Sequence, residues 1–449
     1  MPKVARFPLF SHLVFMLGIA VLLGGCASRP KVVTPEEQAE KLATILSNGG
    51  YISAGKLEIN SVHEVWRHDN AELDVVMTAP TSPGNYPLII YLPSLGEKAN
   101  AGHLWREAWA KAGYAVFSVQ PMSIGQALKE LRSEGGQAKN EDEETDDIDA
   151  EPKPAPEEKS WFSRDKKPKR GNDRAGEIRY LGHEYFALDN LKNRMEQLFW
   201  AYQQLRSRAD LHLPLYSAAN FSKVILVGYD LGAQTVAAII GEDFKAKLPT
   251  NAELKPYAAI TLSPSIDLAE GNIRNRFQKL NLPLLVITGN DDNDPYAISS
   301  ASVREVMWEF SPPGNKYLLL LNGVVHALLA GVDMGGGPSV AGPTERDGPA
   351  GGRGGNGDRS FTEQFQTTNQ YGSGGGGRGH GGAGVGNIPS GEGKDKGKDA
   401  ELKYKQVAAV LSTSTAFLDI VTKNDEFALY WMQEKAHKWL DRAGSLDLR

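Results

Sequence analysis

Three short stretches carry side chains that can do chemistry together. The first is Gly228-Tyr229-Asp230-Leu231-Gly232, which follows the apolar run Val224–Val227 and precedes the small-residue segment Ala233–Ile240. A strand, a sharp turn flanked by glycines and a helix hold the central side chain in a strained conformation above a sheet edge. Asp230 is then expected beside the Leu231 amide and a helix N-terminus, where negative charge is stabilised. The second stretch is Gly289-Asn290-Asp291-Asp292-Asn293-Asp294-Pro295, after the apolar Leu284–Thr288. The third is Asn322-Gly323-Val324-Val325-His326, after Tyr317–Leu321. Reacting group, acid and base come in that chain order, so His326 would take or relay a proton while the acid fixes its tautomer. The Gly-x-x-Asp spacing favours Asp292 as the acid, with Asp291 and Asp267 as alternatives.

An aspartate in the central position narrows the chemistry. A carboxylate ionised at neutral pH cannot form the ordinary acyl-serine, which needs a hydroxyl that the histidine can deprotonate. It can attack a saturated carbon and form an alkyl ester, which water activated by His326 then hydrolyses. The contrasting reading makes Asp230 an N-cap, its carboxylate accepting the first amides of the following helix for ~1 kcal/mol and reacting with nothing. The Asn290–Asp294 string likewise reads as turn chemistry; it lacks the terminal glutamate of a hand-type calcium loop. No cofactor or metal is called for. His103 with Trp105 and Trp109 reads as helix packing, and His380 stands alone in a glycine tract.

The elements that must position these side chains follow from periodicity. Leu73–Met77, Leu88–Leu92, Ala115–Val119, Val224–Val227, Ala258–Leu262, Leu284–Ile287 and Tyr317–Leu321 have the length and apolar character of strands buried on both faces. His103–Ala112 and His183–Arg208 read as helices, the second with Leu188, Leu191, Met195, Leu198, Tyr202 and Leu205 at three- and four-residue steps. Pro35 opens a short helix to Leu46 that Gly49-Gly50 stops, and Lys403–Thr422 and Phe427–Ala443 read as amphipathic helices. The fold class expected is α/β, a mostly parallel sheet with helices on both faces and ligands at the carboxyl ends of the strands.

Composition sets the remaining limits. The chain has 449 residues, 49 Lys and Arg against 55 Asp and Glu, and a net charge of −6. Such a surface offers no general attraction to phosphate backbones, which disfavours nucleic-acid partners. One cysteine excludes internal disulfides and thiolate metal clusters. Lys3 and Arg6 precede the apolar Leu9–Leu23, which ends in Leu23-Gly24-Gly25-Cys26. That run is short for a span and reads as a signal peptide over 1–25. Residues 26–50 form a tether and the short helix, and 51–449 one domain with two insertions expected to be disordered. Residues 133–175 hold an acidic run, Glu141–Glu158, then a basic one, Arg164–Arg170; 335–397 hold 23 of the 48 glycines. These insertions are the places where protein partners would dock.

The Leu-Gly-Gly-Cys ending resembles the lipobox of bacterial lipoproteins. That resemblance implies acylation of Cys26, a membrane anchor and a cell-envelope location, outer-membrane in a Gram-negative host because Ala27 rather than Asp follows. The remainder resembles the α/β-hydrolase superfamily, in its dienelactone hydrolase and platelet-activating-factor acetylhydrolase-like branch. Tyr86–Gly96 is similar to its first strand and oxyanion loop, Lys111–Val116 to the next helix and strand, and Pro283–Asp292 with Lys316–His326 to the acid and histidine segments. The likeness spans about Leu57–Leu440 without the insertions. It implies a hydrolase, ester-type by homology, acting on a small-molecule or lipid-like substrate. Asp230, Asp292 and His326 would be catalytic, and the amides of Leu231, Ser94 and Leu95 oxyanion donors. Two departures stand out: Asp230 replaces the family's serine, and Pro93-Ser94 replaces its His-Gly pair. Haloalkane dehalogenases and epoxide hydrolases of this fold do use aspartate, usually followed by tryptophan where this chain has Leu231. The alternatives are that carboxylate chemistry, or a catalytically silent binding or scaffold lipoprotein.

Overall fold

The computed structural model describes residues 34–128, 174–332 and 392–449. The leader, Cys26 and most of the two insertions lie outside these residues. Nine strands form one sheet: β1 Ile59–His68, β2 Ala71–Pro80, β3 Tyr86–Leu92, β4 Ala115–Pro121, β5 Ala219–Tyr229, β6 Pro256–Leu262, β7 Leu284–Asp291, β8 Lys316–Val325 and β9 Gly444–Leu448. Their order across the sheet is β1-β2-β4-β3-β5-β6-β7-β8-β9. From β4 to β8 every neighbouring pair is parallel, while β1–β2, β2–β4 and β8–β9 are antiparallel.

The seven apolar runs seen in the sequence each fall inside a strand, because those strands are covered on both faces. In β3, Leu88 and Ile90 enter one core while Ile89 and Tyr91 enter the other; β5 repeats this with Val224 and Leu226 against Ile225 and Val227. Successive side chains point to opposite faces, so burial of both turns alternation into a continuous apolar run. One layer holds α1 (Pro35–Ser47), α2 (His103–Lys111) and the long C-terminal helix Glu392–Lys423. The other holds α4 (Leu188–Asp210) and α5 (Leu231–Ile240), with α3 (Arg174–Phe186) preceding α4. A capping box starts α1: Thr34 Oγ1 accepts the Glu37 amide at 3.2 Å, and the Glu37 carboxylate accepts the Thr34 amide.

Four expectations need correction. The helix expected over His183–Arg208 is two helices separated at Ala187, whose ψ of 151° is extended. The carbonyls released by the break are taken up by distant side chains: Arg194 Nη1 donates to Tyr185 O at 2.5 Å, and Gln234 Nε2 to Phe186 O at 2.9 Å. Phe427–Ala443 is a succession of short helical pieces with a π turn at Trp431–Lys435, and Gly444–Leu448 then adds a strand. The C-terminal helix begins at Glu392, inside the end of the glycine tract, and α3 begins at Arg174, inside the end of the charged insertion. Finally, β1 and β9 carry no continuous apolar run and add to the expected strands. They are edge strands, and the half-exposed Ile59–His68 mixes polar and apolar residues on its outer side.

The elbow between β5 and α5 is fixed by steric exclusion. A Cβ on Gly232 would lie 1.9 Å from the Leu92 carbonyl oxygen, and one on Gly228 would lie 2.4 Å from the Gly232 carbonyl carbon. Both neighbours are backbone and cannot rotate aside. Replacing Gly232 with alanine is therefore expected to cost about 3 kcal/mol in denaturant unfolding. Gly55→Ala, at φ +94° but with open space around the added carbon, should lose only about 1 kcal/mol. Equal losses would show that the close approach of α5 to β3 is not what requires glycine.

Candidate active site

Asp230 sits at the elbow with φ +51° and ψ −105°, and it is completely buried. A non-glycine residue there stores roughly 1–3 kcal/mol of backbone strain, retained only where the surroundings hold it. Its side chain caps no helix amide, so it is not the simple N-cap that the sequence also allowed. Both carboxylate oxygens instead accept hydroxyl hydrogen bonds: Ser94 Oγ donates to Oδ2 at 2.6 Å and Ser265 Oγ to Oδ1 at 2.7 Å. Ser94 follows β3 and Ser265 follows β6, so two loops at the carboxyl ends of parallel strands meet on one side chain.

His326 approaches from the end of β8. Its Nε2 lies 3.9 Å from Asp230 Oδ1, and its Nδ1 lies 2.8 Å from Asp292 Oδ1. An ionised carboxylate only accepts, so Nδ1 carries the proton donated to Asp292. Tyr229 Oη donates to the His326 carbonyl at 3.0 Å, and the tyrosine ring lies 5.2 Å from the imidazole, which fixes the histidine from its backbone side. The His326 side chain is 14% exposed while both aspartates are fully buried, so solvent meets the site at the imidazole.

Asp292, not Asp291 or Asp267, is the aspartate bonded to His326. Asp291 is exposed at the end of β7, and Asp267 accepts the Ala269 amide at 2.8 Å in a turn of its own. Asp292 also accepts Ser263 Oγ at 2.7 Å and Thr288 Oγ1 at 2.8 Å. Arg304, itself fully buried, places Nε 3.6 Å from Asp292 Oδ2 and donates to the carbonyls of Asp292, Ser263 and Pro264. Ser263 has φ +47°, so a second strained residue adjoins the site. Asp294 is no solvated turn residue either: it accepts the amides of Tyr296, Ile298 and Ser299 and lies 3.7 Å from Arg304 Nη2.

These contacts set the electrostatics. Burial opposes charge on Asp292, but the Arg304 guanidinium and the His326 hydrogen bond outweigh it and hold the carboxyl at about 2. Burial would likewise depress His326; the Asp292 hydrogen bond and the charges of Asp230 and Asp292 overcome it and raise the imidazole above its ordinary value. Behind α5 lies Arg194, buried and without an ion-pair partner among the described residues, donating to Thr235 and Gln234 of the helix's second turn. Burial pushes it down to about 9, against the field of Asp230.

The expected oxyanion donors divide. The Ser94 amide donates to Glu97 Oε2 at 3.0 Å and is already engaged, because residues 94–97 close a turn in which the Glu97 amide also donates to the Ser94 carbonyl. The amides of Leu95 and Leu231 meet no acceptor among the described residues. Ser94 thus enters the site through its hydroxyl. Sequence reading also missed Ser265, Ser263, Thr288, Arg304, Arg194 and Glu97. Serine, threonine and glutamate are ordinary in loops, so only the meeting of strand ends marks them. Among the described residues no group of three or more His, Cys, Asp or Glu side chains is arranged to hold a metal ion.

A carboxyl whose native value is depressed contributes stability that is present above its unfolded value near 3.8 and lost as pH falls through about 2. Asp292 should therefore supply about 2 kcal/mol at neutral pH. His326 works in the opposite sense, its contribution being lost as pH rises through its raised value. Asp292→Asn is expected to unfold at lower denaturant than wild type at pH 7, with the gap narrowing as pH drops from about 4 to 2. A gap independent of pH would remove the Asp292–Arg304–His326 network as its source.

No family model and no curated protein matches this chain, so the chemistry of the site is argued from its own geometry.

Proposed function

We propose that the chain is a hydrolase of the α/β-hydrolase fold in which Asp230 is the nucleophile, His326 the base and Asp292 its orienting acid. The observation that carries this reading is the His326 imidazole standing between two carboxylates, 2.8 Å from one and 3.9 Å from the other. Nδ1 is bonded to the orienter, and Nε2 faces the elbow side chain across 3.9 Å, too far for a direct bond. The strand order and the elbow between β5 and α5 support the fold assignment. The dienelactone hydrolase-like branch is the one whose segment order this sequence resembles.

The chemistry follows from aspartate at the elbow. An Asp230 oxygen attacks a saturated carbon and displaces its leaving group, giving an alkyl ester. His326 Nε2 then takes a proton from water as the hydroxide oxygen adds to the Asp230 carboxyl carbon. The Ser94 hydroxyl on Oδ2 stabilises the oxyanion, assisted by the free amides of Leu231 and Leu95. Collapse expels the alcohol, which takes the hydroxyl proton of the added water, and leaves aspartate carrying one oxygen from water, while His326 returns its proton to solvent. Ser265 holds Oδ1, the oxygen nearer His326, and its bond must yield as that oxygen alkylates.

Location enters the same proposal through the leader. Lys3, Arg6, the apolar run and Leu23-Gly24-Gly25-Cys26 support export and acylation at Cys26, which would place the enzyme at the cell envelope with a small-molecule or lipid-like substrate. None of the helices among the described residues is long and apolar enough to cross a membrane.

A second reading, a silent binding protein, draws on the full engagement of both Asp230 oxygens by serine hydroxyls. The two readings separate in one experiment. His326→Gln should accumulate a covalent adduct on Asp230 with alkyl halides or epoxides, seen by intact mass and absent from His326→Gln/Asp230→Asn. Wild type should turn over the same compounds at least ~100-fold faster than His326→Gln. Neither adduct nor turnover across halides, epoxides and esters would leave the binding reading standing.

A further inference from the structure

A cavity of about 320 Å³ lies at the end of α5 away from Asp230. The ten residues of α5 span about 15 Å, so this space is no part of the catalytic crevice. Its apolar walls include Met195 and Phe199 of α4, Ala238 and Ile239 of α5, and Phe244 and Leu254 of the loop that leads to β6. That loop is fixed at both ends. At its start Glu242 Oε1 lies 2.6 Å from Arg276 Nε, Lys279 Nζ donates to Asp243 Oδ2 at 2.9 Å, and the Asp243 amide donates to the Arg276 carbonyl at 2.9 Å. At its end Asn251 Oδ1 accepts the amides of Glu253 at 2.8 Å and Leu254 at 3.2 Å, while Arg206 of α4 donates to Glu253 at 3.0 Å. The cavity is therefore shaped before anything enters it.

Its charges are not balanced. Both acids of the lining are answered, Glu242 by Arg276 and Asp243 by Lys279. Among the described residues Lys247, exposed on the rim, has no ion-pair partner, and the Thr250 hydroxyl and Asn251 Nδ2 on the same loop donate to no other residue. Ligand pockets run from ~300 to 1,000 Å³, so the volume suits one small molecule with an apolar body and a head that answers a cation. One lysine and two neutral donors match a single negative charge; the second charge of a phosphate would go unanswered. We propose that this cavity binds a medium-chain carboxylate, its alkyl chain between α4 and α5 and its head group on Lys247. The inference goes beyond the catalytic reading and stands whether or not Asp230 reacts. Each methylene buried between the two helices should tighten binding about 4-fold.

Titration calorimetry of the whole chain with hexanoate, octanoate, octanol and octylamine tests it. Octanoate should bind on the order of 10-fold tighter than hexanoate. Octanol should bind more weakly than octanoate, and octylamine most weakly of the three. Lys247→Glu, at an exposed position outside the catalytic machinery, should weaken octanoate about 10-fold and leave octanol unchanged. Ile239→Trp, which fills the cavity, should remove the binding of both, with its unfolding midpoint reporting that the fold is kept. If that variant does not fold, the Lys247→Glu contrast decides alone. Octanoate that binds no tighter than octanol or octylamine, or that is indifferent to Lys247→Glu, overturns the carboxylate assignment. Octanoate still held by folded Ile239→Trp is bound elsewhere and overturns the site, as does the absence of binding by every probe.

Discussion

The structure of the site depends on keeping one negative charge, that of Asp230, away from water. An ionised carboxylate taken out of solvent costs several kcal/mol unless its lone pairs and its field are answered. Four different elements answer it here. Ser94 comes from the loop after β3, Ser265 from the loop after β6, His326 from the end of β8, and Arg194 from α4 behind the elbow. The hydroxyls supply direct bonds, while the buried Arg194 guanidinium supplies positive potential without an ion-pair contact. The Ser94 turn, the Ser265 loop and the elbow cannot separate without leaving the carboxylate unbonded, so Asp230 ties the loops after β3, β5 and β6 together.

Around this centre the acids fall into two kinds by their partners. Asp292 has two hydroxyls, an imidazole and a buried guanidinium, and is held far below the carboxylate range. Glu97 has one backbone amide and no cation, and rises toward neutrality. Two carboxyl groups near one histidine are thus driven apart in acidity, the pattern by which a single site holds an acid and an anion at the same pH. Arg304 is the source of the difference. It bonds the carbonyls of Ser263, Pro264 and Asp292, so the cation that depresses Asp292 also splints the loops after β6 and β7.

What the sequence made legible follows from how local each cause is. The parallel strands were readable because burial on both faces writes an apolar run into neighbouring residues, as in Leu88–Leu92 and Val224–Val227. The positions of Asp230, Asp292 and His326 are legible because each lies in the short turn that follows such a run. The break at Ala187 was not, since its carbonyls are satisfied by Arg194 and by Gln234, the second reached only through the fold. Strands β1 and β9 were not, because an edge strand need bury only part of itself. The serines on Asp230 were invisible for a different reason. A hydroxyl in a loop after a strand is commonplace, and only the register of β3, β5 and β6 brings Ser94 and Ser265 to the same carboxylate.

The imidazole stands unequally between its two carboxylate neighbours. Were both aspartates only counter-ions, the lowest-energy arrangement would bring each within hydrogen-bond distance of a ring nitrogen. Only Asp292 does so, at 2.8 Å, and Asp230 remains at 3.9 Å with its oxygens bonded to serines. That separation is too long for a direct bond and short enough for a single oxygen to contact Nε2 and approach the Asp230 carboxyl carbon. The strain at φ +51° is what keeps it so, because an elbow relaxed to negative φ would re-aim the side chain. Steric exclusion at Gly228 and Gly232 blocks that relaxation by pinning α5 against β3. The 3.9 Å spacing on which the proposed water activation rests is therefore set by backbone packing rather than by attraction between the charges.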